Sequence, residues 1–91
     1  MITIYGFDPN NYKCKPCIKA KMFAESKGID FEFKPILKEG TSDTSRANKK
    51  ELGERRKALG LELTGFTMPQ IFDGDIHVGG FDEFRNYTPK A

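Results

Sequence analysis

A chain of 91 residues has room for one domain with one modest core, which buries roughly 60 to 65% of the surface of the extended chain. Fifteen basic and 13 acidic residues nearly cancel to a net charge of +2, so no strong global field exists to attract nucleic acid or an anionic membrane. With 37% hydrophobic and 31% charged residues the composition is that of a folded soluble protein, and no run of about 18 apolar residues or signal-like start is present. The expectation is a single domain spanning residues 1–91, cytoplasmic and monomeric.

Ile2 to Tyr5 alternates, with Ile2 and Ile4 on one side, and reads as a short strand ended by Gly6. Asp8-Pro9-Asn10-Asn11 makes a loop. From Pro16 to Lys27, residues Cys17, Ala20, Phe23, Ala24 and Lys27 fall at helical spacing. Pro16 suits the first turn and Gly28 the position past the end. Asp30 to Ile36 sets Phe31 and Phe33 against Glu32 and Lys34 as a second strand, and Pro35 favours a sheet edge because it cannot donate to a ladder. A polar loop leads to a charged helix from Thr44 to Leu59, whose apolar stripe of Ala47, Leu52, Ala58 and Leu59 is thin.

Pro69 to Phe72 and Ile76 to Val78 are short strands joined by Asp73-Gly74-Asp75, a strong hairpin signal. After Gly79-Gly80, Asp82 suits the cap of a last helix with Phe81, Phe84 and Tyr87 on one side and Pro89 closing it. The order predicts an α/β fold: a four-stranded mixed sheet, its first two strands parallel, with helices on both faces. The pair Cys14 and Cys17 then lies at the carboxyl end of the first strand, where open α/β sheets place their sites.

Cys14 and Cys17 are the whole cysteine inventory. A bridge across two residues constrains almost no chain, which disfavours a stapling role and favours redox cycling or metal binding. At a helix start the two face each other across one turn. The positive end of the helix dipole, with Lys13 and Lys15 nearby, favours a thiolate at Cys14, the candidate nucleophile. Cys17, one turn inside, is the candidate resolving thiol. Half of a zinc site is the alternative, but zinc ordinarily takes four ligands and only His77 remains as a strong third.

Three separated segments resemble the glutaredoxin family, most of all the short glutaredoxins of large tailed bacteriophages: Tyr12 to Lys21 around Cys14-Lys15-Pro16-Cys17, Thr67-Met68-Pro69-Gln70-Ile71-Phe72, and Gly79-Gly80-Phe81-Asp82. The resemblance implies a thioredoxin-like fold and a cis peptide before Pro69. It also implies a dithiol oxidoreductase that reduces protein or glutathione mixed disulfides, with glutathione as co-substrate and no tightly bound cofactor. It assigns glutathione contacts to Thr67, Met68, Pro69, Gly80, Phe81 and Asp82, with Tyr12 and Lys13 as further candidates. Ribonucleotide reductase is the implied acceptor, and thioredoxin reductase is a second implied electron source. Some relatives instead hold an iron-sulfur cluster between two subunits, which is the alternative function. Two departures stand out: Lys15-Pro16 replaces the common Pro-aromatic pair, and Asn11 stands where many members carry a basic residue.

Among the remaining features, Arg46, Lys49, Lys50, Arg55, Arg56 and Lys57 read as a solvated face, since no aromatics interleave for bases to stack on. His77 alternates with Ile76 and Val78 and is expected to face outward in a structural role. Phe31, Phe33, Phe72 and Phe84 are expected in the core, while Phe66 has no fixed place.

Overall fold

A computed structural model describes residues 1–88. The elements run β1 (Ile2–Phe7), α1 (Lys15–Ser26), β2 (Phe31–Ile36), α2 (Asp43–Ala58), β3 (Gln70–Asp73), β4 (Ile76–Gly79) and α3 (Phe81–Phe84), the order expected from the sequence. The role given to Pro89 lies outside the described residues.

The sheet order is β2-β1-β3-β4, with β1 parallel to β2 and antiparallel to β3, and β3 antiparallel to β4. Strand β2 is an edge strand, which tolerates the missing donor of Pro35. Central β1 is covered on both sides, so its alternation sorts two apolar layers rather than an inside and an outside. Ile2 and Ile4 pack with Ala20 and Ala24 of α1, Ile71 and Phe84, whereas Tyr5 packs with Ile36, Leu52 and Phe72 under α2. Phe72 and Phe84 are fully buried, and Phe31 and Phe33 pack half-buried against the first layer.

Two expectations need correction. The buried residues of α2 are Ser45, Asn48, Leu52 and Arg56, while Ala47, Ala58 and Leu59 are exposed. The inward face is mostly polar because each member meets a specific partner. Ser45 Oγ accepts from the Leu37 amide at 2.9 Å, Asn48 donates to the Pro35 carbonyl at 2.7 Å, and Arg56 donates to the Glu62 carbonyl at 2.6 Å. Arg56 and, in part, Arg55 therefore leave the solvated face assigned to them; the Arg55 guanidinium stacks 5.1 Å from the Phe72 ring centroid. Second, Gly80 rather than Asp82 is the N-cap of α3, and Glu83 reaches back to accept from the Gly80 amide at 2.8 Å. Gly79 has φ +121°, and a Cβ there would lie 2.8 Å from a Glu83 carboxylate oxygen, so only glycine fits this turn.

Candidate redox site

The chain leaves β1 at Phe7, turns through residues 8–13 and enters α1 at Cys14, its N-cap, whose carbonyl accepts from Ile18 at 3.0 Å. Asn11 holds this turn: its Oδ1 accepts from the amides of Lys38 and Glu39 at 2.9 and 3.0 Å, and its Nδ2 donates to the Glu39 carbonyl. Cys14 and Cys17 are joined in a disulfide with Cα atoms 5.3 Å apart. Cys14 retains 6% exposure and Cys17 1%, so the outer sulfur is the more accessible one. Pro16 has no N–H, and the remaining first-turn amides of α1 point toward the Cys14 side, where they favour a negative sulfur once the bridge opens.

The inner cysteine rests against β1. A Cβ at Gly6 would lie 3.2 Å from Cys17 Cβ and 2.9 Å from the Phe33 ring, so glycine lets the helix start sit directly on the strand. Across from the sulfurs, the Met68-Pro69 peptide is cis, and the Met68 carbonyl oxygen is 3.9 Å from Cys14 Sγ.

Two depressions meet at this point. One, of about 300 Å³, is lined by Pro16, Thr67, Met68, Pro69 and the Gly80–Glu83 turn. The other, of about 440 Å³, is lined by Tyr12, Lys13, Cys14, Lys15, Lys38 and Met68, among others. Every site residue singled out in the sequence therefore borders one depression or the other, apart from the buried Cys17. Tyr12 packs edge-on against Phe7, with the Lys38 ammonium 3.7 Å from its ring centroid.

No family model matches the chain. It is 39% identical over 90 residues to the glutaredoxin of Enterobacteria phage T4, covering 96% of this chain and 98% of that one. The chain belongs to the glutaredoxin family. A glutaredoxin of Pseudomonas aeruginosa is 34% identical over 72 residues, covering 79% of this chain and 70% of the relative. Among solved structures, glutaredoxin 1 of Francisella tularensis, crystallised with cacodylate, matches with a TM-score of 0.63 at 26% identity, over 93% of this chain and 87% of that one. The protein is thus a thioredoxin-fold thiol-disulfide oxidoreductase with a Cys14–Cys17 pair.

This glutaredoxin holds its Thr67-Met68-Pro69 segment with a polar network of Gln70, Arg56 and His77, none of which the sequence marked as supporting the site. Gln70 Nε2 donates to the Thr67 carbonyl at 2.6 Å. Gln70 Oε1 accepts from Arg56 at 2.7 Å and from His77 Nε2 at 2.9 Å. Because Gln70 Oε1 is an acceptor, His77 Nε2 carries the proton between them, and burial, followed by the Arg56 charge, holds the His77 pKa below its usual value. Arg56 also clamps Glu62 and stacks 4.1 Å from the Phe66 ring centroid, which gives Phe66 its place. His77 therefore has the structural role expected of it, though half-buried rather than facing out. The signal in sequence was Gln70 directly after Pro69, an amide at an otherwise apolar strand start.

Proposed function

We propose that Cys14 attacks and Cys17 resolves. The Cys14 thiolate bonds to one sulfur of a substrate disulfide, whose other sulfur leaves as a thiolate and takes a proton from solvent. Cys17 then loses its proton and attacks Cys14 Sγ, the second substrate thiol leaves reduced, and the Cys14–Cys17 bridge is left oxidised. Two glutathione molecules supply the two electrons that reopen it and depart as glutathione disulfide. The observation that carries this reading is Cys14 itself, at the helix start where the two depressions meet and less buried than Cys17.

Glutathione is assigned to the Thr67–Pro69 side. Its cysteine part pairs with the Met68 backbone in β-addition manner, and its γ-glutamyl end reaches Gly80, Phe81 and Asp82. The Asp82 carboxylate is 80% exposed, with Arg85 3.9 Å away as an exposed partner that the ligand's amino group can displace, and the first-turn amides of Phe81 and Asp82 receive the ligand's carboxylate. Glu83 already occupies the Gly80 amide, so Gly80 contributes space rather than a donor. Tyr12 and Lys13 border the other depression, where Lys13 replaces by charge the basic residue that Asn11 displaces. Ribonucleotide reductase is the proposed acceptor. Turnover of one disulfide substrate with glutathione and glutathione reductase, against turnover with thioredoxin reductase, tests the electron source: the glutathione system is expected to be faster, and activity with thioredoxin reductase alone would reassign the donor.

A further inference from the structure

We infer that the protein substrate of this glutaredoxin presents an acidic segment with an apolar side chain near its reactive cysteine, and that this side chain seats in the cavity between α2 and the Leu63–Met68 segment. The inference deepens the proposed function and rests on it for Cys14 as the attacking sulfur.

The cavity, about 330 Å³, is bounded by Leu52, Gly53, Leu63, Phe66 and Met68. It shares Phe7 and Met68 with the depression at Cys14, so one trough runs from the sulfur to Leu63. Its floor is apolar and partly uncovered: Leu63 is 53% exposed, and Phe66 and Met68 are half-buried. That volume suits one large aliphatic or aromatic side chain.

Charge selects what accompanies it. Lys13, Lys15 and Lys38 line the redox end and Lys49 the far end, and no carboxylate lines either part. None of the four lysines forms an ion pair among the described residues. The depression on the other side of Pro16 is instead lined by Asp82 and Glu83. A chain leaving Cys14 along the trough therefore crosses unneutralised positive charge over an apolar floor, which favours acidic residues flanking an apolar anchor and disfavours a basic segment.

The test uses a short peptide in which serine replaces the reactive cysteine, so that binding is read without any redox step. Fluorescence anisotropy compares an acidic peptide bearing leucine with the same peptide bearing lysines for its acids, and with one bearing serine for its leucine. The acidic, leucine-bearing peptide is expected to bind roughly tenfold tighter than either, the scale of one buried apolar side chain or a few screened charges. Added salt, Leu63→Ser and Lys49→Glu are each expected to weaken it, while turnover of a small glutathione mixed disulfide is unchanged. Equal binding of the three peptides, or indifference to both substitutions, overturns the inference. Self-association abolished by Leu63→Ser, with no peptide preference, also overturns it and assigns the trough to a second copy of the chain. Loss of small-disulfide turnover in the unmodified protein would overturn the proposed function and leave the peptide result to stand by itself.

Discussion

At the scale of single residues, the redox pair is shaped as much by what is missing beside it as by its own chemistry. Gly6 has no side chain, and the space it vacates holds Cys17 and the edge of Phe33. Gly6→Ala is expected to cost about 1–3 kcal/mol by overpacking, read as a lowered denaturant midpoint. The Phe33 ring can swing, but the Cys17 backbone is fixed in α1. Part of the strain should therefore appear as a changed equilibrium of the Cys14–Cys17 pair with glutathione. An unchanged midpoint and an unchanged equilibrium would show that the contact at Gly6 is not constraining. The cysteines themselves were legible in sequence, because two thiols three positions apart at a helix start admit few uses. Gly6 was not, because its role depends on a neighbour eleven positions away.

At the scale of elements, α1 and the β3–β4 hairpin follow their local signals closely, with Pro16 in the first turn and a turn at Gly74-Asp75. Helix α2 does not. Its existence was readable from its charged stretch and thin apolar stripe, but its inward face was not, since Ser45, Asn48 and Arg56 look like surface residues until their partners in and just after β2 and in the 59–68 loop are known. Asn48 is the clearest case, donating to the carbonyl of Pro35 in an edge strand. Asn48→Ala leaves that carbonyl without its partner and is expected to cost about 1–3 kcal/mol in chemical denaturation. A loss no larger than that of an exposed alanine substitution on the same helix would contradict the polar-anchor account. The Asp82 cap was misjudged for a related reason: the sequence offered a good capping side chain, but the helix begins one residue earlier at Phe81, with Gly80 as its cap and Glu83 accepting from the Gly80 amide, so Asp82 lies inside the first turn.

For the whole molecule, two polar networks tie α2 to the sheet, and both titrate. Tyr5 donates to Glu51 at 2.5 Å and Lys34 lies 2.9 Å from the same carboxylate, so the tyrosine bond first, and the lysine next, hold the Glu51 pKa below its usual 4.5. Burial pushes the Tyr5 hydroxyl well above its ordinary value, which keeps it a donor. A carboxyl with a lowered folded pKa contributes stability above its unfolded value that is lost as pH falls through the folded one. His77, also lowered, acts in the same direction: below about pH 6.5 the unfolded chain binds its proton first, so stability declines as pH drops toward the folded value. Denaturant midpoints should thus hold steady near pH 7, begin to fall below about 6.5 through His77, and fall further below about 4.5 through Glu51. His77→Gln should flatten the first decline only. A decline that persists unchanged in that variant would contradict the assignment.

The whole-molecule fold and the family were recoverable because three motifs lie in register with the strand and helix pattern, and the sheet brings them to one end. The division of labour between the two sulfurs is the central claim, and turnover of a glutathione mixed disulfide by Cys14→Ser and Cys17→Ser proteins tests it most directly. Cys14→Ser is expected to abolish turnover while Cys17→Ser retains monothiol reduction. Full activity in Cys14→Ser, or activity in neither variant, would contradict it.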